Sequence, residues 1–271
     1  MNGASREALA AARERLDALT DSTSADATKL ADELAAVTAL LDREVSLRRV
    51  LTDPAQAGEA KAELAQRLLG SQVGGATADL VSGMVRSRWS QSRDLVDALE
   101  ELADTAELTA AQKRGALDDV EDELFRFGRI VSSSTELRAA LTDRAASTAA
   151  KTELLHRLLG GRAVASTERL VTRLVTAPRG RSLEAGLESL SKLAAERRDR
   201  LVAVVTSAVP LSDAQKQRLG AALAKLYGHK MHLNIDVDPE VLGGIRVQVG
   251  DEIINGSIAD RIEDAGRRLA S

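Results

Sequence analysis

No cysteine occurs among the 271 residues. That removes disulfides, a thiol nucleophile and every Cys-ligated zinc or iron–sulfur site. Aromatic residues are almost as scarce, at 1% of the chain: Trp89, Tyr227, Phe125 and Phe127. The stacking platforms of single-strand nucleic-acid binders are therefore missing. Three histidines, His156, His229 and His232, leave little material for a metal site or a serine triad. No pair of them has convincing ligand spacing. Nor is there a long apolar run. The longest, Ala35–Leu41 and Leu201–Val205, fall far short of the ~20 residues of a membrane span. Residues 1–20 carry charges throughout, unlike the apolar centre of a signal peptide. The expectation is a soluble intracellular protein that can still work at a membrane as a peripheral subunit. The net charge of −4 argues against broad phosphate-backbone binding, so no nucleic-acid partner and no direct membrane insertion are expected.

What is present is Ala, Leu, Val and Ile in helical order. The composition is 44% apolar and 29% charged, enough for a sizeable core. Leu9, Ala12, Leu16 and Leu19 follow one helix face and predict a helix over Arg6–Leu19. Leu30, Leu34, Val37, Leu40 and Leu41 predict another over Ala27–Glu44. Asp53-Pro54 reads as a helix start, and that helix should stop at Gly70. Helices near Thr77–Arg88 and Ser92–Leu108 follow. Thr109 with Gln112 reads as a capping box for a helix reaching Val131. A short turn at Leu137–Leu141, helices at Ala145–Leu159, Thr167–Thr176 and Arg181–Arg200, and a closing Gly160 complete the helical part.

Within it lies a repeat. Residues 47–70 read LRRVLTDPAQAGEAKAELAQRLLG, and residues 137–160 read LRAALTDRAASTAAKTELLHRLLG. Fourteen of these 24 positions are identical at a constant offset of 90. The register continues backward, with Leu34 on Leu124 and Leu41 on Val131. It also continues forward, with Thr77 on Thr167 and Leu80 on Leu170. Ungapped identity of this kind exceeds shared amphipathicity, so a helical module has been duplicated.

After about Arg200 the apolar period shifts from 3.6 to 2. Leu201–Thr206 reads as a buried strand. Ser212 with Gln215 caps a helix with Leu219, Ala222, Leu223 and Leu226 inward. Met231, Leu233, Ile235 and Val237 alternate with polar residues, and Ile245, Val247 and Val249 do the same. Gly250-Asp251 reads as a hairpin turn into Glu252–Ile254. Ser257 with Asp260 caps a last helix with Ile258, Ile262, Ala265 and Leu269 inward. The fold class expected is mainly α, a duplicated N-terminal helical bundle followed by a small C-terminal α/β domain. The parts are residues 1–108, 109–200 and 201–271.

Few features suggest chemistry. Gly243-Gly244 lacks the Lys-Ser/Thr of a phosphate loop and precedes a strand, so a structural pair allowing positive φ is the better reading. His156 beside Leu155 reads as a partly buried or surface histidine, His229 as a cap residue, and His232 as lying on the polar side of its strand. The acidic run Asp97, Glu100, Glu101, Asp104, Glu107, Asp118, Asp119, Glu121, Asp122 and Glu123 is either a solvated helix face or a docking surface for a basic partner helix. Trp89 reads as a partly buried anchor. No nucleophile, base and oxyanion hole assemble, so catalytic, cofactor-binding and metal-binding residues are all expected to be none, and the protein not an enzyme.

The C-terminal third resembles the delta subunit of F-type ATP synthases, whose mitochondrial counterpart is the oligomycin-sensitivity-conferring protein. Val204-Val205-Thr206-Ser207-Ala208-Val209-Pro210-Leu211-Ser212 and then Gln215 carry the likeness, as do Leu233–Asp251, with Asp238-Pro239-Glu240-Val241-Leu242-Gly243-Gly244 at its centre, and Asn255-Gly256-Ser257 before Arg267-Arg268-Leu269. Upstream, the helical region is similar to the family's six-helix bundle, but about 90 extra residues duplicate most of it. The resemblance implies a stator. The bundle would bind the N-terminal helices of alpha subunits, and the C-terminal part would hold the b subunit. The stalk would then resist rotational torque at the cytoplasmic face of the plasma membrane. It also implies a head-binding groove between the first and fifth bundle helices, here Arg6–Leu19 and Thr77–Arg88, with Thr167–Thr176 as the fifth helix of the second copy. The second copy has no first helix of its own except Ser92–Leu108. That helix must therefore pack against both bundles, or the second bundle lacks a full groove. A helical-repeat adaptor unrelated to energy conversion is the alternative from another class, and an enzyme with a phosphate site at Gly243-Gly244 is a third. Co-purifying ATP synthase subunits would separate the first two, and nucleotide binding would mark the third.

Overall fold

The computed structural model describes residues 1–21, 26–199, 202–227, 231–238, 244–250 and 252–255. The chain forms two compact units, Met1–Ala194 and Ala195–Ser271. In the first, the helices are α1 (Gly3–Asp21), α2 (Ala27–Arg43), α3 (Val45–Thr52), α4 (Gly58–Leu69), α5 (Gly75–Arg86) and α6 (Ser92–Lys113). They continue as α7 (Leu117–Ser133), α8 (Thr135–Thr142), α9 (Thr148–Leu159), α10 (Ala165–Thr176) and α11 (Leu183–Asp199), which crosses the unit boundary.

The duplication is visible atom by atom. Helices α2 to α5 recur as α7 to α10 at the same offset of 90. In the first copy Glu33 accepts hydrogen bonds from the Gly74 amide (3.0 Å) and the Thr77 hydroxyl. In the second, Glu123 accepts from the Val164 amide (3.0 and 3.1 Å) and the Thr167 hydroxyl (2.6 Å). Each carboxylate thus satisfies open amides at the start of a fifth helix, where a negative charge also suits the helix dipole. Asp53 and Asp143 both turn the chain by accepting from the amide two residues on, at 2.9 and 2.8 Å.

Helix α6 belongs to both copies. It packs against α1, α2 and α3 of the first and against α7 and α10 of the second. Shifted by the repeat, α1 falls on α6. The buried Ala8, Leu9, Ala12 and Leu16 correspond to the buried Ala98, Leu99, Leu102 and Ala106. So α6 closes the first bundle as its sixth helix and opens the second as its first. Two apolar stripes allow this. Leu95, Leu99, Leu102 and Ala106 are fully buried, and so are Val96, Ala103 and Leu108 beside them.

Several local expectations shift. The capping box at Thr109 is unused. Helix α6 runs through it to Lys113, and the Thr109 hydroxyl donates back to the Thr105 carbonyl at 2.8 Å. Burial of Leu108, Ala110 and Ala111 keeps the helix going until Gly115, whose φ of +72° ends it. Asp53-Pro54 forms a turn rather than a helix start, and α4 begins at Gly58. Residues 45–52, to which the apolar pattern assigns no element, and residues 135–142, where a short turn is expected at Leu137–Leu141, are both short helices. Gly70 and Gly160 close their helices through the Gln66 and His156 carbonyls, but the left-handed residue is Gly161 (φ +70°).

Among its described residues beyond α11, the second unit holds a four-stranded sheet in the order β2-β1-β3-β4 and a helix: β1 (Val202–Ser207), α12 (Asp213–Tyr227), β2 (His232–Val237), β3 (Ile245–Val249) and β4 (Glu252–Asn255). Strands β1 and β2 are parallel, with α12 as the crossover that such a pair needs. Strand β3 is antiparallel to β1 and to β4. Ala203, Val205, Val247 and Val249 form the inner face, covered by Leu211 and Leu223. Ser212 and Gln215 make the expected cap, with the Ser212 amide 2.9 Å from the Gln215 Oε1. Ala222 and Leu226 are exposed rather than inward, because α12 rests on the sheet along the Leu219–Leu223 row. The fold is thus mainly α with a small C-terminal α/β part, as expected. The helix expected after Ser257 lies outside the described residues.

Candidate functional site: the furrows beside the first and fifth helices

In the first copy α1 packs along α5. The Arg15 side chain lies over Gly83, where an added Cβ would stand 3.3 Å from the Arg15 Nη1. Ala11, Arg15 and Ala18 lie on one edge of α1 by their helical spacing, and all three are exposed. Ala76, Asp79 and Gly83 form the facing row of α5, with Asp79 exposed. The result is a shallow furrow with a small-residue floor and one cation and one carboxylate at its rim.

The corresponding furrow of the second copy lies between α6 and α10, and side chains of the first copy cross it. By the repeat, Asp79 becomes Arg169 and Gly83 becomes Arg173. The Arg169 Nε donates to Glu107 at 2.7 Å, and its Nη2 donates to Asp32 on α2. The Arg173 Nη2 donates to Asp32 at 3.1 Å and to Glu107 at 3.2 Å. The Glu107 side chain is 0% exposed and also accepts from the Ser166 hydroxyl at 2.8 Å. Arg114 ties Ser166 (2.7 Å) to Thr28 of α2 (3.2 Å). On the α1 side, Arg13 binds Glu101 at 2.6 Å. Farther along, Arg179, at φ +50° and only 5% exposed, reaches Glu100 at 2.8 Å, Asp97, and Asp42 at 3.6 Å. Arg181 adds a second contact to Glu100 at 2.6 Å.

These contacts settle the acidic run. Glu100, Glu101, Asp104 and Glu107 are not a solvated face, and the basic groups that dock on them belong to the same chain. Asp118, Asp119 and Asp122 on α7 do stay exposed. Sequence reading missed the arginines because they lie far along the chain from the carboxylates they meet, and only the fold aligns them. Burial pushes the Asp104 carboxyl up to about 7, and the neighbouring Glu100 adds to that. Burial also raises Glu100, against the pull of Arg179 and Arg181. Burial alone would raise Asp32, but the hydrogen bond and charge of Arg169, with Arg173, hold it below the usual range.

The remaining candidates are structural. Trp89 is buried, and its indole donates to the Met84 carbonyl at 2.8 Å. His156 is exposed and meets Glu168 at 2.7 Å, which raises its pKa. Gly244 has φ +94°, the conformation expected of a structural glycine before β3. Gly243 and His229 lie outside the described residues, and so does the side chain of His232. Among the described residues no group of three or more His, Asp or Glu side chains could hold a metal ion. No described helix is long and apolar enough to cross a membrane.

A family model described as "ATP synthase delta (OSCP) subunit" matches residues 105–269. The chain is similar to the ATP synthase subunit delta of Streptomyces coelicolor, at 85% identity over 271 residues, covering 100% of this chain and 99% of the relative. It is similar to the protein of the same name in Thermobifida fusca, at 50% identity over 270 residues, with both chains fully covered. A third such relative, from Acidothermus cellulolyticus, is 49% identical over 274 residues, again with both chains fully covered.

Proposed function

The chain belongs to the ATP synthase delta (OSCP) subunit family, and from that premise we propose how its parts divide the work of a non-catalytic stator subunit. The first copy, residues 1–108, holds an amino-terminal helix of an alpha subunit in the α1/α5 furrow. The second copy, residues 109–200, is a rigid spacer built on the shared helix α6. The C-terminal unit, residues 201–271, grips the b subunit. Together they tie the catalytic head to the stalk, so that rotational torque is resisted and proton flow couples to ATP synthesis. The subunit sits peripherally, at the cytoplasmic face of the plasma membrane.

The observation that carries this division is the contrast between two equivalent furrows. One is open. The other is crossed by Asp32, Glu107, Arg169 and Arg173. A second reading follows from where the family match begins. Residue 105 lies within α6, so the family's single bundle overlays the second copy, and that copy would meet the head. Full-length chain carrying Gly83→Trp in the first furrow separates the two. Its failure to bind an alpha amino-terminal peptide supports the first copy, whereas undiminished binding assigns the head to the second. Truncation near residue 200 tests the stalk contact. Membranes should keep ATP hydrolysis by detached heads and lose ATP-driven proton pumping, and normal pumping would remove the assignment.

A further inference from the structure

The charge ladder between the two copies contains a mismatch at Asp104. Asp104 lies midway along the acidic column of α6, with its Oδ1 4.0 Å from the Arg173 Nη1, outside hydrogen-bond range. That Nη1 is buried and has no partner. The other terminal nitrogen of Arg173 is fully used by Asp32 and Glu107. A buried orphan donor therefore faces a carboxylate about one ångström too far away, and each such unmet group is costly.

The surrounding charges are arranged around this pair. On α6, Glu100 and Glu101 lie one turn before Asp104, and Glu107 follows it. From α10 comes Arg173, with Arg169 beyond it on Glu107. From the α10–α11 connection come Arg179 and Arg181, both spent on Glu100. Helix α2 contributes Asp32 and Asp42, each already on an arginine. Helix α1 contributes Arg13, held by Glu101. Helix α7 sends Glu123 to the start of α10. Each of these arginines is thus bound to another carboxylate; Arg179 Nε is also unpartnered but lies toward Asp42, so the free nitrogen facing Asp104 is the Arg173 Nη1.

We propose that the junction between the two copies is a proton-sensitive joint, in which ionised Asp104 closes on the Arg173 Nη1 and protonated Asp104 leaves it open. Burial and the neighbouring Glu100 bring the Asp104 carboxyl to about 7, so both forms are populated around neutral pH. Closure adds a direct tie from α10 to α6, which alters how firmly the second copy is braced against the first. The device does not depend on which copy meets the head.

The sign of the linkage is fixed. Folding raises this carboxyl above its ordinary value of 3.8, so the folded chain holds a proton that the unfolded chain has lost between about 4 and 7. The Asp104 contribution to stability therefore falls as pH rises through that window and is flat above it.

The test is carbon-detected NMR of the full chain with labelled aspartate, together with nitrogen spectra of the arginine guanidinium groups. One carboxyl signal, absent from Asp104→Asn, should titrate with a midpoint near 7. The Arg173 guanidinium signal, assigned by Arg173→Lys, should move with the same midpoint in the wild type and stay still in Asp104→Asn. Glu100→Gln, which removes a like charge, should lower the midpoint and keeps the test open if Asp104→Asn fails to fold. The proposal is overturned if every aspartate titrates below about 5. It is also overturned if the Arg173 signal does not change between pH 5 and 9.

Discussion

Glu107 is the side chain on which the two copies meet most closely, and Glu107→Ala tests the reading of α6 as a shared element. The carboxylate is fully buried and accepts from Ser166, Arg169 and Arg173, with Arg114 at 3.7 Å. Removing one member of a buried ion pair costs about 3–5 kcal/mol, because it strands the partners. Here the stranded arginines keep some contact with water, at 33% and 21% exposure, and retain Asp32. The expected cost is therefore about 2–4 kcal/mol. Asp32 touches the same arginines but is 54% exposed, so Asp32→Ala should cost below about 1 kcal/mol. Urea unfolding read by two probes measures both. Trp89 fluorescence reports the first copy, and far-ultraviolet circular dichroism reports all helices. In a two-state transition of this size 2–4 kcal/mol corresponds to roughly 4–16 °C in Tm. Because α6 runs through both copies, both probes should shift together. If Glu107→Ala costs less than Asp32→Ala, or if the tryptophan transition stays put while the dichroism moves, the shared-helix account is wrong.

Three further outcomes follow from the same packing. Leu99, buried on the doubly packed helix, should lose roughly 2–5 kcal/mol as Leu99→Ala, measured by the same urea transitions. Glu33→Ala and Glu123→Ala remove matching clasps from the two fifth helices. Each should cost ~1–3 kcal/mol, and amide exchange should accelerate at residues 74–77 in the first variant and 164–167 in the second, with no crossover between copies. His156 should titrate above its ordinary 6.5 because Glu168 favours the charged ring. The contribution of this pair is complete below 6.5 and disappears as pH rises through the raised value. In Glu168→Ala the proton NMR midpoint of His156 should fall back toward 6.5.

The helical core was readable because it depends on local period. Leu9, Ala12 and Leu16 on α1, and Leu30, Leu34 and Val37 on α2, are buried as their spacing requires. The repeat offset left two outcomes for α6, packing against both bundles or an incomplete second groove, and its contacts with helices of both copies show the first. Helix ends were less so, because they depend on what lies outside the helix. Thr109 looks like a cap in isolation, yet neighbours that bury Leu108 and Ala111 carry α6 past it. The closed second furrow was illegible for a similar reason. Arg169, Arg173, Arg179 and Arg181 are separated in sequence from Asp32 by more than 130 residues, and no periodicity relates them. In the second unit the strand alternation was plain, but the orientation of α12 was not. Ala222 and Leu226 belong to the apolar face that Leu219 begins, and only the sheet decides which part is covered.

Binding of an alpha amino-terminal helix to the full-length chain tests the central claim most directly. Calorimetry should give one site per chain. Gly83→Trp, which obstructs the furrow where Arg15 crosses α5, should weaken it at least about tenfold, or ~1.4 kcal/mol. Asp32→Ala, which touches only the crossed furrow of the second copy, should leave affinity and stoichiometry unchanged. Unaltered binding by Gly83→Trp, or a second site appearing in Asp32→Ala, would contradict the account.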